Sequence, residues 1–200
     1  MATLLFYDNS HTYTVDGEEV PSVSELTRFL SREIYSEAPQ YVLDTAKQRG
    51  TDIHKATEAL DKFGSVEVSD EYADYLRAYV AFTKDIKPEW KQIEHPIHNE
   101  KLYAGTLDRY GLMNGQNVIM DIKTTQTISG LHKVLYTAQL NLYKIAAQSN
   151  GMDVDSLWVL QLKKDGTYKL HQIEVDDVLA LACLTMHEAI KNSKKRRKKT

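Results

Sequence analysis

Cysteine is nearly missing from this chain: Cys183 is the single one among 200 residues. No internal disulfide can close, and neither a cysteine-built zinc site nor an iron–sulfur cluster can form. Long apolar runs are missing too. None approaches the roughly 18 residues of a membrane span, so no membrane partner is expected. The opening MATLLFYDNSHTY turns polar too soon for a secretory leader, which points to an intracellular, cytoplasmic setting. There is no repeat, no long linker and no Gly-x-x-x-x-Gly-Lys-Ser/Thr phosphate loop, so a nucleotide-driven motor of that type is excluded. Positive charge is also not in excess, since the formal net charge is −3. It is concentrated in one place, KKRRKK at Lys194 to Lys199. That run reads either as a solvated tail or as a device for capturing a polyanion.

What is present is ordinary for a water-soluble globular chain, with 42% hydrophobic and 26% charged residues. The length suffices for one domain with a real core. Short strands are expected at Leu4–Tyr7, His11–Val15 and Glu18–Val20. Ser22 and Glu25 form a capping-box pattern that opens a helix through about Ser31. Pro39 starts a second helix towards Arg49, Gly50 marks a break, and Thr51 caps the next segment. Another helix covers about Glu71 to Lys84. Strands follow at Trp90–His98, Leu102–Met113 and Asn117–Lys123, then a helix from about Gly130 to Gln148. A hairpin turns at Asp165-Gly166, and a last helix spans roughly Asp176 to Lys191. This order suggests a mixed α/β fold, a central mixed sheet flanked by helices.

One stretch asks for an explanation. AGTLDRYGLMNGQNVIMDIKTTQ, Ala104 to Gln126, reads as a hairpin around Asn114-Gly115, yet each arm carries an aspartate, which strands disfavour. A two-residue loop sets Met113 opposite Gln116 and, counting outward, Asp108 opposite Asp121. Facing like charges destabilise a strand pair unless something positive lies between them. Lys123 is two residues beyond Asp121 and shares its face. Two carboxylates and a lysine suit a hard divalent cation, Mg2+ or Mn2+, as one or two ions per site. Such an ion polarises a phosphate oxygen and lowers the pKa of bound water, and Lys123 could position that water or stabilise charge at phosphorus. An exposed salt-bridge cluster is the bland reading of the same residues.

Three further positions bear on the choice. His54 lies on an expected helix and could supply another metal ligand, although a lone helical histidine is commonly only structural. Gln139 and Tyr143, four apart in QLNLY, share a helix face and could equally belong to a core stripe. Taken together, RGTDIH (His54), GTLDR (Asp108), DIKTT (Asp121, Lys123) and QLNLY (Gln139, Tyr143) resemble, in order and spacing, the RecB-like branch of the PD-(D/E)XK nuclease superfamily. The resemblance runs from about Arg49 to Tyr143. It implies a restriction-endonuclease-like core, with His54, Asp108, Asp121 and the Ile122 carbonyl as metal ligands and Lys123 as the catalytic lysine. It places Gln139 and Tyr143 beside DNA, where Arg49, Lys194, Lys195, Arg196 and Arg197 are candidate phosphate contacts.

This chain departs from many relatives in lacking the cysteines of their iron–sulfur cluster, so it looks most like a compact phage-type or stand-alone exonuclease. For a phage protein the compartment would be the host cytoplasm. The expected organisation is one nuclease domain over residues 1–193, with a hairpin and helix in 1–38 and the core in 39–192, then a basic tail at 194–200. Glu94, on the strand before the hairpin, is a secondary candidate for the metal site. The leading expectation is a metal-dependent deoxyribonuclease trimming ends of single- or double-stranded DNA in replication, recombination or repair. A helicase, recombinase or single-strand-binding protein is a possible partner, and the oligomeric state is left open. The competing readings are a non-catalytic nucleic-acid-binding module of the same fold and a scaffold with a salt-bridged hairpin.

Overall fold

In the computed structural model, residues 2–7, 10, 12–100 and 102–197 are described. The chain opens with a small antiparallel sheet of β1 (Leu4–Tyr7), β2 (Thr12–Val15) and β3 (Glu18–Val20). The capping box forms as expected: Ser22 Oγ accepts from the Glu25 amide at 3.1 Å, and the Glu25 carboxylate accepts from the Ser22 amide at 3.0 Å. The helix it opens differs from expectation. It runs as α1 (Val23–Leu26), breaks at Thr27 and resumes as α2 (Arg28–Ile34). Thr27 has left helical geometry (ψ 5°), and its hydroxyl donates back to the Val23 carbonyl at 3.0 Å, the local competition with the helix ladder that threonine offers.

A larger correction concerns Gly50. The helix does not break there, because α3 runs uninterrupted from Gln40 to Phe63. A mid-helix glycine costs only about 1 kcal/mol relative to alanine, which the buried anchor of Ile53, Ala56 and Thr57 outweighs. Thr51 is accordingly no cap, and its hydroxyl donates back to the Lys47 carbonyl at 3.1 Å. α3 ends at Gly64, left-handed at φ 77° as a helix terminus favours.

After α4 (Ala73–Ile86) come β4 (Glu89–Asn99), β5 (Tyr103–Met113), β6 (Gln116–Lys123), α5 (Gly130–Ser149), β7 (Ser156–Leu162), β8 (Tyr168–Ile173) and α6 (Asp177–Arg197). The five strands lie in sequence order. All neighbours are antiparallel except β6 and β7, which run parallel with α5 as the crossover. The expected mixed sheet flanked by helices is therefore what forms. Alternation along β6 sorts the two cores. Val118, Met120 and Ile122 pack with Ile53 of α3 and Tyr75, Tyr79 and Phe82 of α4. Ile119 joins Leu107, Leu140 and Ala180 in the layer beneath α5 and α6. The small sheet is joined to β5 by the Ala104 amide, which donates to the Pro21 carbonyl at 3.0 Å, and by a 2.8 Å bond between the Tyr13 and Thr106 hydroxyls.

α6 extends past Lys191 to Arg197. Lys194, Lys195, Arg196 and Arg197 thus sit on helical backbone instead of a free tail. Lysine and arginine are good helix formers, and cations near a helix C-terminus are favoured by its dipole. The side chains of Lys195, Arg196 and Arg197, and residues 198–200, lie outside the described residues. Among the described residues no helix is long and apolar enough to cross a membrane.

Candidate active site

The hairpin register is the expected one. Asn114 (φ 51°) and Gly115 (φ 79°) form the two-residue turn, and pairing runs from Met113–Gln116 out to Arg109–Met120. There the ladder stops. At the next facing pair, Asp108 and Asp121, strand bonding gives way to a side chain: Asp108 Oδ2 accepts from the Ile122 amide at 2.6 Å. The other edge of β5 opens at the same level. β4 pairs Ile93 with Arg109 and His95 with Leu107, skipping Glu94 and Asp108 between them. Glu94 takes φ 46°, a conformation that costs a non-glycine residue about 1–3 kcal/mol and clusters at functional sites. Glu94, Asp108 and Asp121 therefore occupy facing positions on three adjacent strands, at the one level where both ladders are open.

α3 delivers His54 to this opening. Its Nε2 lies 3.0 Å from the Ile122 carbonyl, and its Nδ1 lies 3.4 Å from Glu94 and 3.5 Å from Asp108. Both ring nitrogens thus face acceptors. Burial disfavours the imidazolium, but the Asp108 and Glu94 carboxylates outweigh it and push the pKa up to about 9. His54, Glu94 and Asp108 each offer one ligand atom, and all three atoms lie within 4.8 Å of one another. An imidazole and two carboxylates beside the Ile122 carbonyl oxygen fit a divalent cation with a preference for oxygen, which would take the place of the His54 proton.

Asp121 is engaged by Lys123. Its Oδ2 is sealed from solvent 2.7 Å from the Lys123 ammonium, an ion contact not aligned as a hydrogen bond. Burial raises the Asp121 pKa, Lys123 opposes this, and Asp108 adds to it. Lys123 is held well above its ordinary value: burial pulls down, and the Asp121 and Asp108 carboxylates more than compensate. Its ammonium also lies 5.3 Å from the centre of the Tyr136 ring, a cation–π distance.

The structure therefore brings together His54, Asp108, Asp121, Ile122 and Lys123, and raises Glu94 to equal standing with them. Sequence pattern ranked Glu94 low because a strand glutamate is ordinary. The register of β4 against Asp108 is what reveals it. Arg109 had no signal at all. It is fully buried, donating to Asp61 at 2.7 Å, Glu94 at 3.0 Å, Thr57 at 3.1 Å and the Asp108 carbonyl at 2.7 Å. Tyr79 donates to the same Asp61 carboxylate oxygen at 2.5 Å. This network holds Glu94 and the Asp108 backbone from the α3–α4 side of the sheet.

Of the remaining candidates, Tyr143 lines the opening with His54, Glu94 and Asp108 in a cavity of about 460 Å3. Its ring is pressed on Gly105, where an added Cβ would come within 2.7 Å of the ring edge. Burial, then Asp108 and Asp121, keep the Tyr143 phenol protonated far above its usual range. Gln139 turns to Thr27, donating to its hydroxyl at 3.4 Å. Arg49 donates to the Thr124 carbonyl at 3.2 Å and lies 5.8 Å over the Tyr75 ring, tying α3 to the chain leaving β6. Lys194 is exposed on α6 and lines a groove with Arg28, Arg32 and Lys191 and with Glu25 and Glu33, apart from Glu94, Asp108 and Asp121.

No protein-family model matches the chain, and comparison with curated proteins found no match. Among solved structures it is similar to a phage-related exonuclease from Haemophilus somnus 129PT, at 12% identity and TM-score 0.44, covering 88% of this chain and 96% of that one. It is also similar to an alkaline exonuclease from Laribacter hongkongensis, at 14% identity and TM-score 0.38, covering 74% and 84%. Likeness this distant does not bear on activity, which the geometry of the site must carry.

Proposed function

We propose that this chain is a divalent-metal-dependent nuclease of the PD-(D/E)XK type that hydrolyses phosphodiester bonds of DNA, working from ends. The observation that supports the reading best is the opening of both strand ladders at Glu94, Asp108 and Asp121, with His54 and Lys123 converging there. A scaffold would gain nothing from three carboxylates facing one another across unpaired backbone and a strained glutamate. His54, Glu94 and Asp108 would hold the ion, with Asp121 and the Ile122 carbonyl as further oxygen donors. A Mg2+ or Mn2+ ion bound there supplies Lewis acidity at the phosphate and a water acidic enough to attack near neutral pH. Lys123, kept protonated by Asp121, supplies positive charge where it develops on the phosphoryl oxygens. Arg109 keeps Glu94 aimed at the opening, and Tyr143 offers a protonated hydroxyl beside it. Gln139, Arg49 and the basic end of α6 (Lys194, Lys195, Arg196, Arg197) are assigned to the DNA.

The test is a gel assay with end-labelled linear and circular DNA in Mg2+, Mn2+ or chelator. Metal-dependent shortening of linear DNA with circles left intact is expected. Cut circles would overturn the end-directed part of the reading, and retention of DNA without any cleavage would establish a binding module instead.

A further inference from the structure

Beyond the carboxylates, on the α2 side of His54, lies a second cavity of about 630 Å3. It meets the first at Gly50 and His54, which line both. Its walls combine aromatic rings and positive charge with one carboxylate, Asp44. Tyr35, at the end of α2, and Tyr136 of α5 present aromatic rings, while Lys47, Arg49 and Lys123 contribute positive charge. Tyr35 is 37% exposed. Its ring stands edge-on to His132 at 5.8 Å between centres, and His132 in turn lies 6.1 Å from Tyr136. Lys47 is exposed and has no carboxylate partner among the described residues. Over this cavity the first half of α3 runs largely exposed, with Tyr41 at 72%.

We infer that this cavity is a subsite for an unpaired nucleotide, in which a base stacks on Tyr35 while Lys47 and Arg49 meet the flanking phosphates. The inference rests on the nuclease reading for its identification of the ligand as nucleic acid, and it narrows that ligand to a single strand. In a duplex both faces of each base are covered by neighbours, so only an unpaired base can offer a face to Tyr35. Rings supported by further rings beside a cationic wall are the arrangement that single-strand binding uses. The volume also lies in the range of a pocket for one small ligand. Because the two cavities join at His54, a strand seated here continues directly to the carboxylates.

The experiment uses a short single-stranded oligonucleotide carrying 2-aminopurine, mixed with the full chain in chelator so that binding is read without cleavage. Quenching of the probe with the wild type is expected, since a stacked fluorescent base is quenched. Tyr35→Ala should weaken single-strand affinity by about 5- to 150-fold, and Tyr35→Phe, which keeps the ring, should restore it. Lys47→Ala, a change at an exposed position, should flatten the salt dependence by about 0.7 in log–log slope. Affinity for a blunt duplex should be unmoved by Tyr35→Ala. Wild-type single-strand affinity in Tyr35→Ala, or an equal loss for single strand and duplex, would overturn the subsite. The two proposals fail separately. Quenching that depends on Tyr35 without cleavage in metal removes the hydrolytic reading and upholds the pocket. Metal-dependent cleavage with Tyr35→Ala binding normally does the reverse.

Discussion

Two buried or half-buried cations pair with different carboxylates around one opening and have opposite duties. Lys123 is 26% exposed at its side chain and faces the opening, where charge builds up only during reaction. Lys123→Ala should therefore lower kcat by several orders of magnitude, far more than it weakens DNA binding, and should also lower the melting temperature because Asp121 loses its buried partner, measured by single-turnover cleavage, equilibrium binding and thermal unfolding. Near-normal turnover would reduce the lysine to a partner for Asp121. Arg109, by contrast, is wholly enclosed and compensates Asp61 and Glu94 at once. Removing one member of a buried ion network strands the others without compensation, at a cost of about 3–5 kcal/mol. Arg109→Ala should lose that much in urea denaturation, and activity should fall with it because Glu94 is no longer held. A loss below about 1 kcal/mol would mean that solvent reaches Asp61 and Glu94 more readily than the packing indicates.

At the scale of elements, two glycines have opposite reasons for being there. Gly50 lies inside α3 with nothing within 4 Å of where a Cβ would stand. Gly50→Ala should raise stability by about 0.5–1 kcal/mol through the lower entropy of the unfolded chain. Gly111 faces β4 where its register shifts between Trp90 and Gln92, and a Cβ there would fall 2.1 Å from the Glu89 carbonyl oxygen. Since that contact is with backbone, Gly111→Ala must push the strands apart and should destabilise. Denaturation curves of the two variants should bracket the wild type, and the same sign for both would contradict the packing of one of these elements. The β4 irregularities matter beyond stability, because it is β4's own geometry that turns Glu94 to the opening.

For the molecule as a whole, the two cores on either side of the sheet converge on one electrostatic problem. His54 comes from the α3 side, Lys123 and Tyr143 from the α5 side, and the three carboxylates from between. Without an ion the arrangement keeps His54 protonated to balance Glu94 and Asp108. An ion bound by the folded chain and not by the unfolded one raises stability in proportion to the logarithm of its concentration above the dissociation constant. Melting temperature should therefore climb with added Mg2+ or Mn2+, and by much less in the double variant Glu94→Gln, Asp108→Asn. An equal rise in both proteins would locate the ion elsewhere. The expected gain is about 2.7 kcal/mol at one hundred times the dissociation constant, so a titration resolves it.

The amino-acid sequence by itself determined whatever depends on near neighbours. The Asn114-Gly115 turn set the register that brings Asp108 level with Asp121, because a two-residue loop leaves no freedom in the pairing. Ser22 and Glu25 wrote their helix start, and the period of two along β6 put Asp121 and Lys123 on one face. Local signals failed where distant packing outweighed them: Gly50 reads as a break until Ile53, Ala56 and Thr57 are seen buried against the sheet. Only the tertiary structure decided that Glu94 joins His54 and Asp108, since the link from β4 to β5 depends on an irregular register that no pattern in the sequence encodes. The same holds for Arg109, whose side-chain partners lie 15 to 52 positions away. A buried arginine is stable only when those distant acceptors are assembled around it, and that assembly is a property of the folded chain.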